Sequence, residues 1–224
     1  MIDRARKKIH KGELGFREWV ESNGGIVDVD GLKPFTRWIT PPNLPKRFTT
    51  QMYLYFLPVD ATLNSGEKKR VDAPTTDGGL EHTTASFASP AQWLDRARRG
   101  EIILFPPQFY LMYLLAPLLE GVDVHEGRKR IEEFLKGDGG DGRGVKWGDK
   151  VMSPLGLFMS KKDGRGVLGL EKPGRELEGS GRGGDGKRVV LVRFGKEGPR
   201  EVEVREKEEV LREEKMVGEK ESKI

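Results

Sequence analysis

The alternation of apolar and polar positions divides the chain into a helical start, a strand-rich segment, a helical middle and a strand-rich end. Residues 2–22 read as helix with a break near Gly12. Ile2, Ala5 and Ile9 share one face of the first part, and Leu14, Phe16, Trp19 and Val20 supply apolar contacts in the second. Gly24 and Gly25 close it. Residues 35–39 are a short strand candidate. The segment TPPNLPKR that follows holds too many prolines for regular structure. Residues 49–57, TTQMYLYFL, carry the best strand signal, being β-branched and aromatic and stopping at Pro58. Their apolarity predicts a place in the middle of a sheet whose other strands include ones missing from this chain. Residues 58–79 read as a polar loop and residues 80–87, LEHTTASF, as another strand.

Ser89 and Pro90 are a good helix start, with serine as N-cap and proline in the first turn. The helix AQWLDRARR ends at Gly100. A short apolar stretch, EIILF, leads to Pro106 and Pro107, which open QFYLMYLLAPLL. That helix is apolar nearly all round, which predicts burial. HEGRKRIEEFLK is a further amphipathic helix. Residues 137–149, GDGGDGRGVKWGD, read as a glycine-rich linker. Beyond it VMSPLGLFM, GVLGL, KRVVLVRF and REVEVRE are short β candidates, predicted as hairpins of an appended layer. The end, from Lys207, starts as a charged helix and frays. No repeat is visible. The predicted class is α+β.

Composition narrows the function classes. Of 224 residues, 35% are hydrophobic and 34% charged, lean for a packed globule but above the disordered range. The 40 basic residues interleave with 36 acidic ones, so the net charge of +4 describes a solvated surface and not the basic stripe of a nucleic-acid binder. The absence of cysteine excludes disulfides, thiolate metal sites and a cysteine nucleophile. The longest apolar run, residues 105–119, is interrupted by three prolines and is too short to span a bilayer. The N-terminus, MIDRARKKIHKG, lacks the apolar core of a secretory signal.

Several patterns imitate catalytic motifs. Gly179, Gly181 and Gly184 match G-x-G-x-x-G, but a dinucleotide site needs a strand before it and a helix after it; here a polar loop precedes and a strand follows. The spacing from Gly181 to Lys187 imitates a phosphate loop, but Arg188 stands where a serine or threonine should hold magnesium. Residues 17–24, REWVESNG, resemble the second half of a Nudix box. Asp3 and Ile9 occupy the upstream glycine and glutamate positions, and Ser22 breaks the acidic pair. Glu21 alone cannot hold hard divalent cations against a diphosphate. His10, His82 and His125 form no triad or metal-ligand spacing.

Residues 31–59, GLKPFTRWITPPNLPKRFTTQMYLYFLPV, resemble the segment that follows the Nudix box in the peroxisomal coenzyme A family of Nudix hydrolases. The shared pattern is a W-x-T-P turn, a basic residue with Arg-Phe, then threonine and an apolar strand ending in proline: Trp38, Thr40, Pro41, Arg47, Phe48, Thr50 and Pro58. A second block matches at Glu81, Ser89, Pro90, Ala91, Trp93 and Leu94, and then from Arg99 to Ile102 and Pro106 to Gln108. Fungal members continue with a KV-M-S-P segment and a final β region, as at residues 150–205.

The resemblance implies a partial Nudix fold, an α/β/α sandwich, over residues 1–136. The glycine-rich linker (137–149), a β-rich extension (150–205) and a charged, partly disordered tail (206–224) follow. It implies metal-assisted hydrolysis of a nucleotide-type diphosphate, coenzyme A or an acyl derivative, with Mg2+ or Mn2+. The glutamates that hold the metal are expected before Met1 and are not in this chain, so the truncated chain is expected to be inactive. The alternative is a non-catalytic binding or interaction module, or an incomplete gene model. Of the accessory residues, Glu81 is the candidate catalytic base or extra metal ligand, and Lys46 and Arg47 are the candidate phosphate contacts. The final Ser222, Lys223 and Ile224 approach the Ser-Lys-Leu address, implying a peroxisomal import receptor as partner and a peroxisomal or cytoplasmic location. No membrane or nucleic-acid partner is expected.

Overall fold

A computed structural model describes residues 2–57 and 86–221. The candidate base Glu81 and the terminal Ser222, Lys223 and Ile224 therefore lie outside the described residues, as does most of the strand expected at 80–87. The class is α+β. The described residues fall into two compact units: those of Met1–Lys33 and Tyr55–Phe87, and those of Pro34–Leu54 and Ala88–Ile224. No helix among the described residues is long and apolar enough to cross a membrane.

The first unit holds α1 (Ile2–His10) and α2 (Phe16–Ser22), separated where Gly12 takes a positive φ of 71°. Ala5 is the buried position of α1. Asp28 caps a turn by accepting from the Gly31 amide at 2.9 Å and from the Tyr55 hydroxyl at 2.9 Å.

In the second unit, helix boundaries follow local chemistry. α3 (Pro90–Arg98) begins in a capping box: the Ser89 hydroxyl accepts from the Gln92 amide at 3.2 Å, and the Gln92 side chain accepts from the Ser89 amide at 2.9 Å. Residues 101–105, EIILF, are irregular, and Phe105 is exposed. α4 (Pro106–Leu119) buries Phe109, Tyr110, Leu111, Leu114 and Leu115, as an all-round apolar helix must. α5 (Val124–Lys136) is capped by Asp123, whose carboxylate accepts from the amides of His125 and Glu126.

Two sheets complete the chain. The smaller has the order β2 (Thr49–Tyr55), β1 (Leu32–Ile39), β3 (Val151–Met152). The larger is antiparallel, in the order β4 (Leu155–Met159), β5 (Gly166–Leu170), β6 (Asp185–Gly195), β7 (Gly198–Glu206). Val189, Leu191 and Val167 meet Val210 of α6 (Lys207–Glu221) on one face. Strand alternation turns Val190 and Val192 to the other face, and α3 and α4 pack against β6 and β7. Helices on both faces explain why four consecutive residues of β6, VVLV, are all buried.

One expectation changes. The run VMSPLGLFM is not one strand. Its start, β3, pairs parallel with β1, and its end, β4, lies at the edge of the other sheet. Pro154 between them has no amide to continue a ladder. Among the described residues the strand at Thr49–Tyr55 has β1 as its neighbour, and its expected place amid further strands is not tested. The centre is β1, whose Phe35, Thr36, Trp38 and Ile39 are buried, whereas β2 leaves Tyr53 and Tyr55 largely exposed. Apolarity ranked β2 first, but the pairing of β1 with β3, distant in sequence, decides the order.

The glycine-rich run at 137–149 belongs to the second unit without a break. Trp147 is fully buried in an aromatic cluster, stacked on Phe134 at 4.9 Å and on Phe35 at 5.7 Å. Trp38 meets Tyr110 edge-on at 5.7 Å in the same core.

Candidate functional site

Residues that carry the sequence resemblance interlock at one turn. The Thr40 hydroxyl accepts from the Phe48 amide at 3.0 Å, and the Thr40 amide donates to the Phe48 carbonyl at 2.9 Å. Arg47 donates through Nε to the Thr40 carbonyl at 3.1 Å. The Trp38 indole N–H donates to the Thr36 hydroxyl at 3.0 Å beneath the turn. Arg47 is further committed to the Glu176 carboxylate, to which its guanidinium donates. Lys46 sits on the exposed loop beside it. Glu21 lies on α2, exposed and 3.9 Å from Arg17.

Among the described residues no group of three or more His, Asp or Glu side chains is placed to hold a metal ion. The glycine loop at 179–184 runs directly into β6, so no helix N-terminus faces a ligand there.

Two clefts open on the second unit. The larger, about 320 Å³, lies between β6, β7 and α6. Its guanidiniums are already satisfied: Arg165 bonds Asp163 and Glu203 at 2.7 Å each, and Arg205 bonds Glu213 at 2.6 Å. Those bonds hold Asp163 and Glu213 down at about 2, so both stay ionised and paired.

The smaller cleft, about 240 Å³, has uncommitted donors. Four elements meet in a row across it. The Arg37 amide donates to the Lys150 carbonyl at 2.9 Å, and Arg37 is the register partner of Val151. The Val151 amide donates to the Gly183 carbonyl at 3.1 Å, which brings Arg182 alongside. Arg37 Nε donates to Gln51 Oε1 at 3.1 Å on β2. Gln51, Tyr53, Asp149 and the two arginines all line the space. Among the described residues neither Arg37 nor Arg182 meets a carboxylate.

The second unit also contains buried polar pairs. Lys150 Nζ lies 2.6 Å from Asp141 Oδ2, both side chains essentially solvent-free, and 5.2 Å from the centre of the Trp147 ring. A second network joins Tyr110, Asp185 and Arg188. The Tyr110 hydroxyl donates to Asp185, Arg188 Nη1 donates to it at 2.9 Å, and the Lys187 amide donates at 2.7 Å.

Burial alone would raise the Asp185 carboxyl, but Tyr110 and Arg188 outweigh it and hold it below the ordinary value. A carboxyl depressed on folding takes its proton first in the unfolded chain. Its contribution is therefore whole above about pH 4 and is lost as pH falls through the folded value. In urea unfolding between pH 5 and 3, wild type is expected to lose stability more steeply than Asp185→Asn. Equal slopes would show that Asp185 contributes nothing to acid sensitivity.

Sequence reasoning passed over Arg37, Gln51, Tyr53, Asp149 and Arg182. The available signals were a charged residue inside the strand FTRWI and an arginine in the glycine loop set aside as a decoy. Comparison with family models, curated proteins and solved structures finds no match.

Proposed function

We propose that this chain derives from a Nudix-type hydrolase of diphosphate-linked compounds, and that residues 1–224 by themselves lack the catalytic step. The observation that carries this reading is the Trp38–Thr40–Arg47–Phe48 turn. Thr40, Arg47 and Phe48 are bonded to one another, and Trp38 bonds Thr36 on the strand leading into the turn, which supports reading them as one constrained strand–turn–strand unit. A hard-metal mechanism needs clustered carboxylates to neutralise charge on the diphosphate and to position water. The degenerate box on α2 offers Glu21 paired with Arg17, which supplies neither function.

Purified 1–224 is expected to show no hydrolysis of coenzyme A or ADP-ribose with added Mg2+ or Mn2+. Turnover well above a metal-only blank, lost on Glu21→Gln, would overturn the inactivity. The transcript upstream of the Met1 codon tests the ancestry. An in-frame glycine loop with its glutamate cluster supports it, and an in-frame stop with no such box removes it.

One observation favours a second reading, a binding module without catalysis. Arg37 and Arg182, neither with an ion-pair partner among the described residues, line one cleft.

A further inference from the structure

We propose that α1 and α2 form a docking surface for an anionic lipid bilayer. A row of cations on α1 meets the headgroups, and an unburied aromatic face on α2 enters the interface. The surface lies wholly in the first unit and is independent of hydrolysis and of the cleft lined by Arg37 and Arg182.

Charge supplies the first part. Residues 1–11 hold five basic residues and one acidic one; with chain totals of 40 and 36, residues 12–224 hold 35 of each. The net charge of +4 is therefore that of residues 1–11. Within them Arg4, Lys7, Lys8 and Lys11 recur at i, i+3, i+4 and i+7, which places them on one face. The Lys11 amide donates to the Lys7 carbonyl at 3.2 Å, so the helical turn carries through to the last of them. All four are exposed. The opposite side is the attached one, with Ala5 buried and Ile9 half-buried. Asp3, the acid of α1, pairs with Arg6 at 3.4 Å, off the row. Glu13 meets the row at its end, 4.0 Å from Lys11. The contrast is α5, which carries Arg128, Lys129, Arg130 and Lys136. There Glu126, Glu132 and Glu133 alternate with the bases, and Arg130 pairs with Glu126 at 3.0 Å. A cluster of about four basic residues on an amphipathic helix is of the size that an anionic leaflet attracts.

The apolar residues select lipid over nucleic acid. Phe16, Trp19 and Val20 share one face of α2, and Glu18 and Glu21 fall on the other. A helix ordinarily buries such a face against a core. α2 has no buried residue, and Phe16 is 55% exposed. In the same unit Ile2 is 56% and Ile26 93% exposed. Aromatic rings also stack on unpaired bases. Exposed aliphatic side chains gain little from a base or a phosphate, whereas both classes partition into the boundary between headgroups and acyl chains, where tryptophan is favoured. Lysine stems lie along that boundary with the ammonium held among the phosphates. The expectation of no membrane partner rests on the lack of a spanning segment, which a helix lying on the surface does not need.

The test is sedimentation of the full 224-residue chain with vesicles of phosphatidylcholine alone, or of phosphatidylcholine and phosphatidylserine in equal parts, at low ionic strength. Binding is expected to the mixed vesicles and not to phosphatidylcholine, and is expected to weaken as salt is raised. Lys7→Gln and Lys8→Gln are each expected to weaken it about fivefold, the contribution of one basic residue near an anionic leaflet. Lys196→Gln removes the same charge from the exposed β6–β7 turn and is expected to change nothing. Mixed vesicles are expected to move tryptophan emission to shorter wavelength. Trp19→Phe is expected to abolish that shift and leave sedimentation in place, because Trp38 and Trp147 are buried and Arg96 lies over Trp93. Equal losses in Lys7→Gln, Lys8→Gln and Lys196→Gln would reduce the effect to net charge and overturn the surface. Equal sedimentation with both kinds of vesicle, or with neither, would overturn it as well. An emission shift that survives Trp19→Phe would remove α2 from the contact. A single-stranded oligonucleotide that binds more tightly than the mixed vesicles and displaces the chain from them would reassign the cations to nucleic acid.

Discussion

Asp141→Leu alone is expected to destabilise the chain by about 3–5 kcal/mol, because it leaves the Lys150 ammonium buried without its counter-charge. Lys150 Nζ sits 2.6 Å from Asp141 Oδ2, with side-chain exposures of 0% and 2%. Its remaining neighbours are the Gly184 carbonyl at 3.4 Å and the face of Trp147. A carbonyl and a ring face do not replace a carboxylate in a medium where desolvation costs several kcal/mol per ion. Lys150→Met alone is expected to cost a similar amount by stranding Asp141. The double variant Asp141→Leu/Lys150→Met is expected to recover most of the loss, since an apolar pair of similar volume often substitutes for a buried ion pair. Urea denaturation of the four proteins completes a double-mutant cycle. Additive losses, with no recovery in the double variant, would show that packing and not charge sets the cost.

Trp147→Ala is expected to cost about 3–5 kcal/mol, the range for removing a large aromatic from a core. The indole is fully buried, stacks on Phe134 and Phe35, and receives the backbone of Gly139 so closely that a Cβ there would lie 2.4 Å from the ring. Gly139 also has φ +78°, so glycine answers both demands at once. Among the described residues Trp147 Nε1 has no hydrogen-bond partner, which offsets some of the aromatic stabilisation. A free tether would tolerate the substitution. Thermal unfolding unchanged within error would return residues 137–149 to linker status, and a loss of this size places them in the core.

How much of the fold was legible depended on the range of the interaction. Ser89, Pro90 and Gly100 mark α3 because a cap, a first-turn proline and a left-handed terminus act within a few residues. KRVVLVRF was legible as a strand of an appended β layer, but nothing local revealed that α6 would cover one of its faces. The candidate site was scarcely legible. Arg47 was chosen because arginine forks onto phosphate, and nothing local revealed that Glu176 would occupy that fork. Arg37 was hidden inside a good strand and Arg182 inside a rejected glycine motif. Their shared cleft exists only through the β1–β3 pairing and the bond from Val151 to Gly183.

The sequence by itself determined the α+β class, the positions of most helices and hairpin strands, and the absence of cysteine chemistry. These follow from periodicity, capping and composition, which are local or global sums. Only the tertiary structure decided that β1 and not β2 lies at the centre of the smaller described sheet. It likewise decided that VMSPLGLFM serves two sheets, and that Lys150, a residue type that prefers water, is buried on Asp141. Each of these depends on which distant segment arrives beside a residue. That choice is made by the packing of the whole unit and leaves no periodic trace along the chain.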